Sequence, residues 1–450
     1  MKKTFHLISL GCPKNSVDSD SMGELLYRAG YKAVETPEEA ETIIVNTCGF
    51  IATAREEAFN VLNEMAAHKR PNQRLIAAGC LTQRYGAEVA RQVPGLDGIL
   101  GTRRWMDIVE VVSRLRKQKH PEPIYHLPET SKMGTDEQDA VRASVQGQSA
   151  YLKIADGCRR PCAFCAIPLI KGTQVSRPTE AILMDARALQ EVGLDEIILL
   201  AQDTTDYGSD LGMKDGLTQL LKKMVKEVPE IPWLRVMYAY PGSVSDAFIE
   251  LMAKEKQILH YLDIPLQHAH PAVLQRMMRP ANMDWVHATL NKMRAAIPDL
   301  ALRTTFIVGY PEESEAEFQA LLDFMREIRF DKVGAFQYSF EVGTSAEKLG
   351  DPIPAEVKQE RWERLMELQQ QISLERNQAL VGKRLDVLIE GEGEIDGSDE
   401  RIYVGRSYRD APEIDGLVLI ENVGDEEVSG IVPVQISGAM AYDLVGQIVF

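Results

Sequence analysis

Six cysteines in 450 residues are too few for the disulfide framework of a secreted scaffold. No apolar run approaches the roughly 20 residues that a membrane-spanning helix needs, which excludes a helical membrane protein. Positive charge is scarce as well. Fifty Lys and Arg against 67 Asp and Glu leave a net charge of −17, the wrong sign for a general nucleic-acid binder. The chain begins Met1-Lys2-Lys3, but the apolar stretch 5–10 is shorter than the ~7–15 residues of a signal-peptide core, and Pro13 follows at once. The expected location is the cytoplasm, where thiols stay reduced and cysteines are available as ligands. A glycine-rich phosphate loop is missing too, since Gly391 to Glu394 (GEGE) lacks the GxGxxG spacing.

What remains is an ordinary globular composition, 45% hydrophobic and 26% charged, in a chain long enough for about three domains. The pattern divides it accordingly. Residues 1–118 alternate strand and helix, as an open parallel α/β sheet requires, with strands over 4–10, 42–46 and 74–79 and helices over 17–28, 53–67 and 83–92. Residues 119–149 are polar and aperiodic and read as a linker. Alternation resumes over 150–350, with strands over 151–155, 196–201, 234–238, 261–264, 302–308 and 332–338. Six βα units make a partial (βα)6 barrel rather than a closed eight-unit one. A charged amphipathic helix within 351–380 ties this to residues 381–450, where five short strands (384–389, 401–406, 417–421, 428–434 and 444–450) predict a small β-barrel.

The cysteines carry the chemistry. Cys158, Cys162 and Cys165 form a CxxxCxxC run just after the first strand of the partial barrel. Three thiolates on one loop suit three irons of a [4Fe–4S] cluster whose fourth iron stays open. A zinc site, which prefers four ligands, and a chance group of buried cysteines are the alternatives. Cys12, Cys48 and Cys80 each follow one of the three N-terminal strands. A lone cysteine in such a place is more often a small buried hydrophobe. Three on equivalent strand ends can converge, because ligands of open α/β sheets sit outside the carboxyl ends of the strands.

With Phe164 before its third cysteine, the central run resembles the signature of the radical S-adenosylmethionine (SAM) superfamily. There, the open iron chelates the methionyl amino and carboxyl groups, and reductive cleavage yields a 5′-deoxyadenosyl radical. The spacing of Cys12, Cys48 and Cys80, within the runs Ser9 to Asn15 (SLGCPKN), Asn46 to Phe50 (NTCGF) and Ala78 to Leu81 (AGCL), resembles the methylthiotransferase family, whose N-terminal domain holds an auxiliary [4Fe–4S] cluster. The likeness extends to the C-terminal barrel, called TRAM in that family. It implies two [4Fe–4S] clusters and SAM as cofactors, an external electron donor and a sulfur donor.

Two branches of the family modify different substrates, one a tRNA adenosine, the other an aspartate β-carbon of small-subunit ribosomal protein S-twelve. Gly11 to Asp18 (GCPKNSVD), Leu200 to Thr205 (LAQDTT) and Asp410 to Gly416 (DAPEIDG) resemble the ribosomal-protein branch. The tRNA branch more usually has Gln-Met-Asn where this chain has Pro13-Lys14-Asn15. Charge agrees: residues 381–450 hold five Lys and Arg and fifteen Asp and Glu, a net of −10. A barrel gripping RNA phosphates should be basic, whereas an acidic one suits a basic ribosomal protein. The expectation is therefore a methylthiotransferase acting on S-twelve, without strong nucleic-acid binding and without a membrane. The alternatives are the tRNA enzyme and a non-catalytic iron–sulfur ribosome- or RNA-binding module.

By resemblance, Gln202 and Asp203 lie near the methionyl amino group, Arg303 is a candidate for its carboxylate, Gly309 allows close approach on the adenine side, and Phe164 accompanies the cluster. The HxH of His268 and His270 follows a strand end and reads as barrel lining or a substrate contact rather than a metal pair. Tyr238 and Tyr240 can stack on a ligand or pack in the core. Three positions depart from the family pattern. Lys171 to Arg177 (KGTQVSR) has Val175 in place of an arginine, Glu312 stands where glycine is usual, and His270 replaces a small or acidic residue.

Overall fold

The computed structural model describes residues 3–117, 123–134, 138–394, 401–421 and 427–449. Its first layer is a six-stranded parallel sheet. The strands are β1 (Thr4–Ser9), β2 (Lys32–Ala33), β3 (Thr42–Thr47), β4 (Arg74–Gly79), β5 (Gly98–Gly101) and β6 (Ile124–His126), in the spatial order β2-β1-β3-β4-β5-β6. β3 is buried at every position, as a strand with helices on both faces must be. Its residues alternate between two cores: Ile44 packs with Met22, Leu26 and Trp105, and Ile43 and Val45 pack with Leu62 and Val89. Helices α1 (Pro13–Arg28), α2 (Ala52–His68), α3 (Cys80–Gln92) and α4 (Ile108–Lys117) supply those faces.

The second layer holds β7 (Ala143–Gln146), β8 (Ser149–Lys153), β9 (Ala155–Asp156), β10 (Val175–Ser176), β11 (Glu196–Leu200), β12 (Trp233–Val236), β13 (Ile258–Asp263), β14 (Ala301–Val308) and β15 (Lys332–Gln337). The main sheet runs β15-β14-β13-β12-β11-β8-β7. Its six parallel strands are those of the expected partial barrel, and β7 adds an antiparallel edge. β9 and β10 pair separately.

The segment 119–149 differs from the expected linker. It contributes β6 to the first sheet and β7 to the second. Strands of three and four residues are too short to show a period, and only neighbouring strands hold them in register. Part of that segment (119–122 and 135–137), like residues 1, 2, 118 and 450 at the expected boundaries, lies outside the described residues.

Helix Ala355–Gln378 lies across the end of the second sheet, where the Trp362 indole donates to the Ala335 carbonyl (3.0 Å) and Gln369 to that of Phe330 (3.1 Å). Beyond it β16 (Arg384–Glu394), β17 (Arg401–Ser407), β18 (Val418–Ile420), β19 (Ile431–Ala439) and β20 (Leu444–Ile448) close a five-stranded barrel. This barrel plugs the lower rim of the half-barrel. Leu388 and Ala411 pack among Tyr151, Ile198, Trp233 and Tyr261. Around them Arg406 reaches Glu196 (2.7 Å) and Ser149 (3.0 Å), the first residues of β11 and β8, while Arg235 takes the other Glu196 oxygen (2.6 Å). Asp410 pairs with Lys332 (2.7 Å), and Asp415 accepts from the Tyr261 hydroxyl (2.7 Å). Among the described residues no helix is long and apolar enough to cross a membrane.

Candidate active site

Cys12 caps the N-terminus of α1 directly beyond β1, Cys48 follows β3, and Cys80 opens α3 beyond β4. These three strands are consecutive neighbours in the sheet, so the cysteines stand in a row along its carboxyl edge. Gly11 makes the row tight. Its φ is +91°, and a Cβ there would lie 2.6 Å from Cys48 Cβ.

Cys158, Cys162 and Cys165 sit on the loop beyond β9. That loop is pinned at both ends: the Cys158 amide donates to the Gly172 carbonyl (3.1 Å), and Ala163 exchanges backbone bonds with Met277 (2.9 Å) and Ala346 (2.8 Å). Donors point at its sulfurs, the Arg160 amide at Cys158 (3.4 Å) and the Arg279 guanidinium at Cys162 (3.4 Å). Arg160 and Arg279 both lie on the Tyr240 ring, at 4.1 and 4.6 Å from its centroid.

The two rows meet. Cys80 packs with Phe50 against Ala166 and Ile170, and Ala166 is the residue after Cys165. Burial pushes the thiols of Cys80 and Cys165 up to about 12 and that of Cys158 to about 11. Such thiols ionise at neutral pH only with a cation bound. No three His, Cys, Asp or Glu side chains among the described residues gather closely enough for a single ion. Three sulfurs that each take a different iron stand further apart than three on one ion.

A buried ionic network, which sequence reasoning missed, joins the two domains beneath the cysteines. Asp18 of α1 accepts from Arg142 (2.6 Å), Lys153 (2.5 Å) and Lys171 (3.1 Å); Asp156 accepts from Lys171 (2.9 Å) and Arg142 (3.1 Å). Burial raises the Asp18 carboxyl, but the three cations outweigh it and hold the group well below the carboxylate range. Three cations against two anions leave one positive charge in excess. A charged Lys153 at the end of an otherwise apolar strand was the available signal. Lys171 opens the run 171–177 in which Val175 departs from the family pattern, and it bonds both carboxylates.

The expected cofactor contacts divide. Asp203 sits beside the cysteine loop and accepts from Arg160 (2.6 Å) and Thr205 (2.5 Å). The Gln202 amide has both its oxygen and its nitrogen buried without a partner, as a side chain waiting on a polar ligand would. Phe164 packs beside Tyr310 and Tyr338, next to the loop. Arg303 differs from expectation: Asp263 (3.0 Å) and Asp415 of the docked barrel (3.3 Å) already occupy its guanidinium. Gly309 is also accounted for differently. Its φ is +69°, and a Cβ would meet Lys358 Cγ of the long helix at 2.4 Å. His268 is buried and accepts from the His270 amide (2.9 Å), while His270 caps helix Pro271–Arg276, so the HxH pair is structural.

Residues 4–101 match the uncharacterized protein family UPF0004, residues 152–325 the radical SAM superfamily and residues 381–449 the TRAM domain. The ribosomal protein uS12 methylthiotransferase RimO of Chloroflexus aurantiacus is 49% identical over 98% of this chain and 99% of its own length. The protein of the same name from Roseiflexus sp. is 46% identical over 99% and 97%. Among solved structures, the radical SAM methyltransferase TsrM of Kitasatospora setae superposes with a TM-score of 0.56 over 86% of this chain and 81% of that one. At 12% identity that likeness is one of fold.

Proposed function

This chain belongs to the radical SAM methylthiotransferases, in the family of the ribosomal protein uS12 methylthiotransferase RimO, and on that premise we propose that it places a methylthio group on the β-carbon of an aspartate of uS12. Cys158, Cys162 and Cys165 hold the SAM-binding [4Fe–4S] cluster, and Cys12, Cys48 and Cys80 the auxiliary one. With two SAM molecules these groups supply the methyl, the sulfur and the one-electron chemistry that opens an unactivated C–H bond. The chain's own residues do the rest. Gln202 offers an amide to the polar end of SAM. Arg160 steadies Asp203 beside it, and burial raises the Asp203 carboxyl despite that arginine. Arg279 stabilises charge on Cys162. The packing that buries Cys80 helps keep water from a reactive carbon.

The observation that carries the reading is the packing of Cys80 in one cluster with Ala166 and Ile170, which sets one cysteine row beside the other. The acidic TRAM barrel supports a basic partner. Arg406 and Arg409 turn inward to Glu196 and Asp331, and Asp410 and Asp415 turn inward to Lys332 and Arg303, so the outer face keeps the barrel's acidic excess. The test is anaerobic reconstitution followed by reaction with SAM, a reductant and purified uS12. About eight irons per chain and a methylthio mass gain on one aspartate are expected. Radical cleavage of SAM without that gain, together with salt-sensitive binding of tRNA, would move the substrate to the tRNA branch.

A further inference from the structure

Lys14 lies two residues beyond Cys12, in the first turn of α1. Its ammonium sits 3.2 Å from the centroid of the Tyr238 ring, across the junction between the two domains. Tyr238 leaves the upper end of β12 with a φ of +61°, a conformation that costs a tyrosine energy and that tends to be kept at functional sites. Two residues on, Tyr240 underlies Arg160 and Arg279 of the other cysteine set. The run Tyr238-Ala239-Tyr240 therefore spans from one row of cysteines to the other, and Lys14 stands over its near end.

No acidic side chain among the described residues ion-pairs with Lys14. The nearest carboxylate in charge terms, Asp263, is bound by Arg303 (3.0 Å) and by the Tyr238 amide (3.3 Å). The ionic network next to it already holds one cation too many. Apart from the sulfur of Cys12, whose charge the proposed cluster takes up, this partly buried ammonium has no anion beside it, and next to an excess of positive charge it favours the arrival of one.

We propose that Lys14 and the Tyr238 ring beneath it form the binding site for the carboxylate of the substrate aspartate, and so set the preference for an acidic side chain over a neutral base. The inference rests on the uS12 reading above and deepens it. A carboxylate laid on the ammonium gains a charge-assisted bond and points its β-carbon into the space between the cysteine rows. Methionine at this place, as the tRNA branch more usually has, keeps the length of the side chain and removes the charge.

The test pairs the enzyme with its substrate. Holoenzyme, Lys14→Met and Lys14→Arg are compared for binding and for kcat/KM on uS12 and on uS12 with the target aspartate changed to asparagine. Wild type should bind the aspartate form about tenfold or more tightly than the asparagine form, Lys14→Met should bind both alike, and Lys14→Arg should restore the difference. Equal binding of the two substrates by wild type overturns the proposal even if the variant fails to fold. So does a Lys14→Met enzyme that keeps the preference, or one that loses SAM cleavage, which would give the cation to the cofactor. A wild type that leaves uS12 unmodified overturns the substrate reading itself.

Discussion

Arg279 is the residue whose position says most about electron transfer. Its guanidinium donates toward Cys162 from a stack on Tyr240, and donors to cluster sulfurs raise the reduction potential. Arg279→Gln should lower the potential of the SAM-binding cluster by about 60 mV, the one-electron equivalent of roughly 1.4 kcal/mol, in a redox titration followed by electron paramagnetic resonance. An unchanged midpoint would make the arginine purely structural. Glu312 offers a test of backbone strain. Glycine is usual there by resemblance, and Glu312 has a φ of +64°, a conformation that suits glycine. Glu312→Gly should stabilise the protein by up to about 1 kcal/mol in thermal unfolding. A marked loss would mean that the Arg276 bond to the Glu312 carbonyl (3.2 Å) and the side chain matter more. The placing of Cys12, Cys48 and Cys80 at three neighbouring strand ends was legible because each ends an apolar run. Lys14 was legible only as a letter in a motif, since its charge means nothing until Tyr238, 224 residues away in the chain, lies under it.

At the scale of elements, the cysteine row depends on three tight strand-to-helix turns, and the turn at Gly11 has no room. Gly11→Ala must move either Cys12 or Cys48, because the added Cβ would lie 2.6 Å from Cys48 Cβ, far inside van der Waals contact. The expected result is a chain with about four irons instead of eight and an unchanged circular-dichroism spectrum. Retention of eight would mean that the turn can open without losing the auxiliary cluster. The strands that set these turns were readable because a parallel strand buried on both faces is a continuous apolar run. β6 and β7 were not, because three or four residues among prolines and polar neighbours carry no period. Arg303 shows a different limit: its strand was found, but its partner Asp415 comes from another domain, which no reading of the strand alone can supply.

For the whole molecule the decisive contact is the plug of the C-terminal barrel in the half-barrel. Glu196, Arg235 and Arg406 form a fully buried triad there. Burial pushes the Glu196 carboxyl up, but the two arginines hold it at about 2. A depressed carboxyl stabilises the fold above its unfolded value near 4.3, and that contribution is lost as pH falls from there toward 2. Glu196→Gln leaves the guanidiniums unbalanced and should cost about 3–5 kcal/mol at neutral pH. Calorimetry between pH 6 and 3 should find wild type losing stability more steeply than the variant. Parallel curves would mean that the triad does not hold the domains together.

The same plug limits who can enter. Leu388 and Ala411 fill the half-barrel from below, and Val17 of α1 lies in the same packed cluster. On the reading proposed above, the substrate side chain then comes from the opposite rim, where the cysteine loops lie. An aspartate carried on a protruding loop suits that approach better than one on a flat surface.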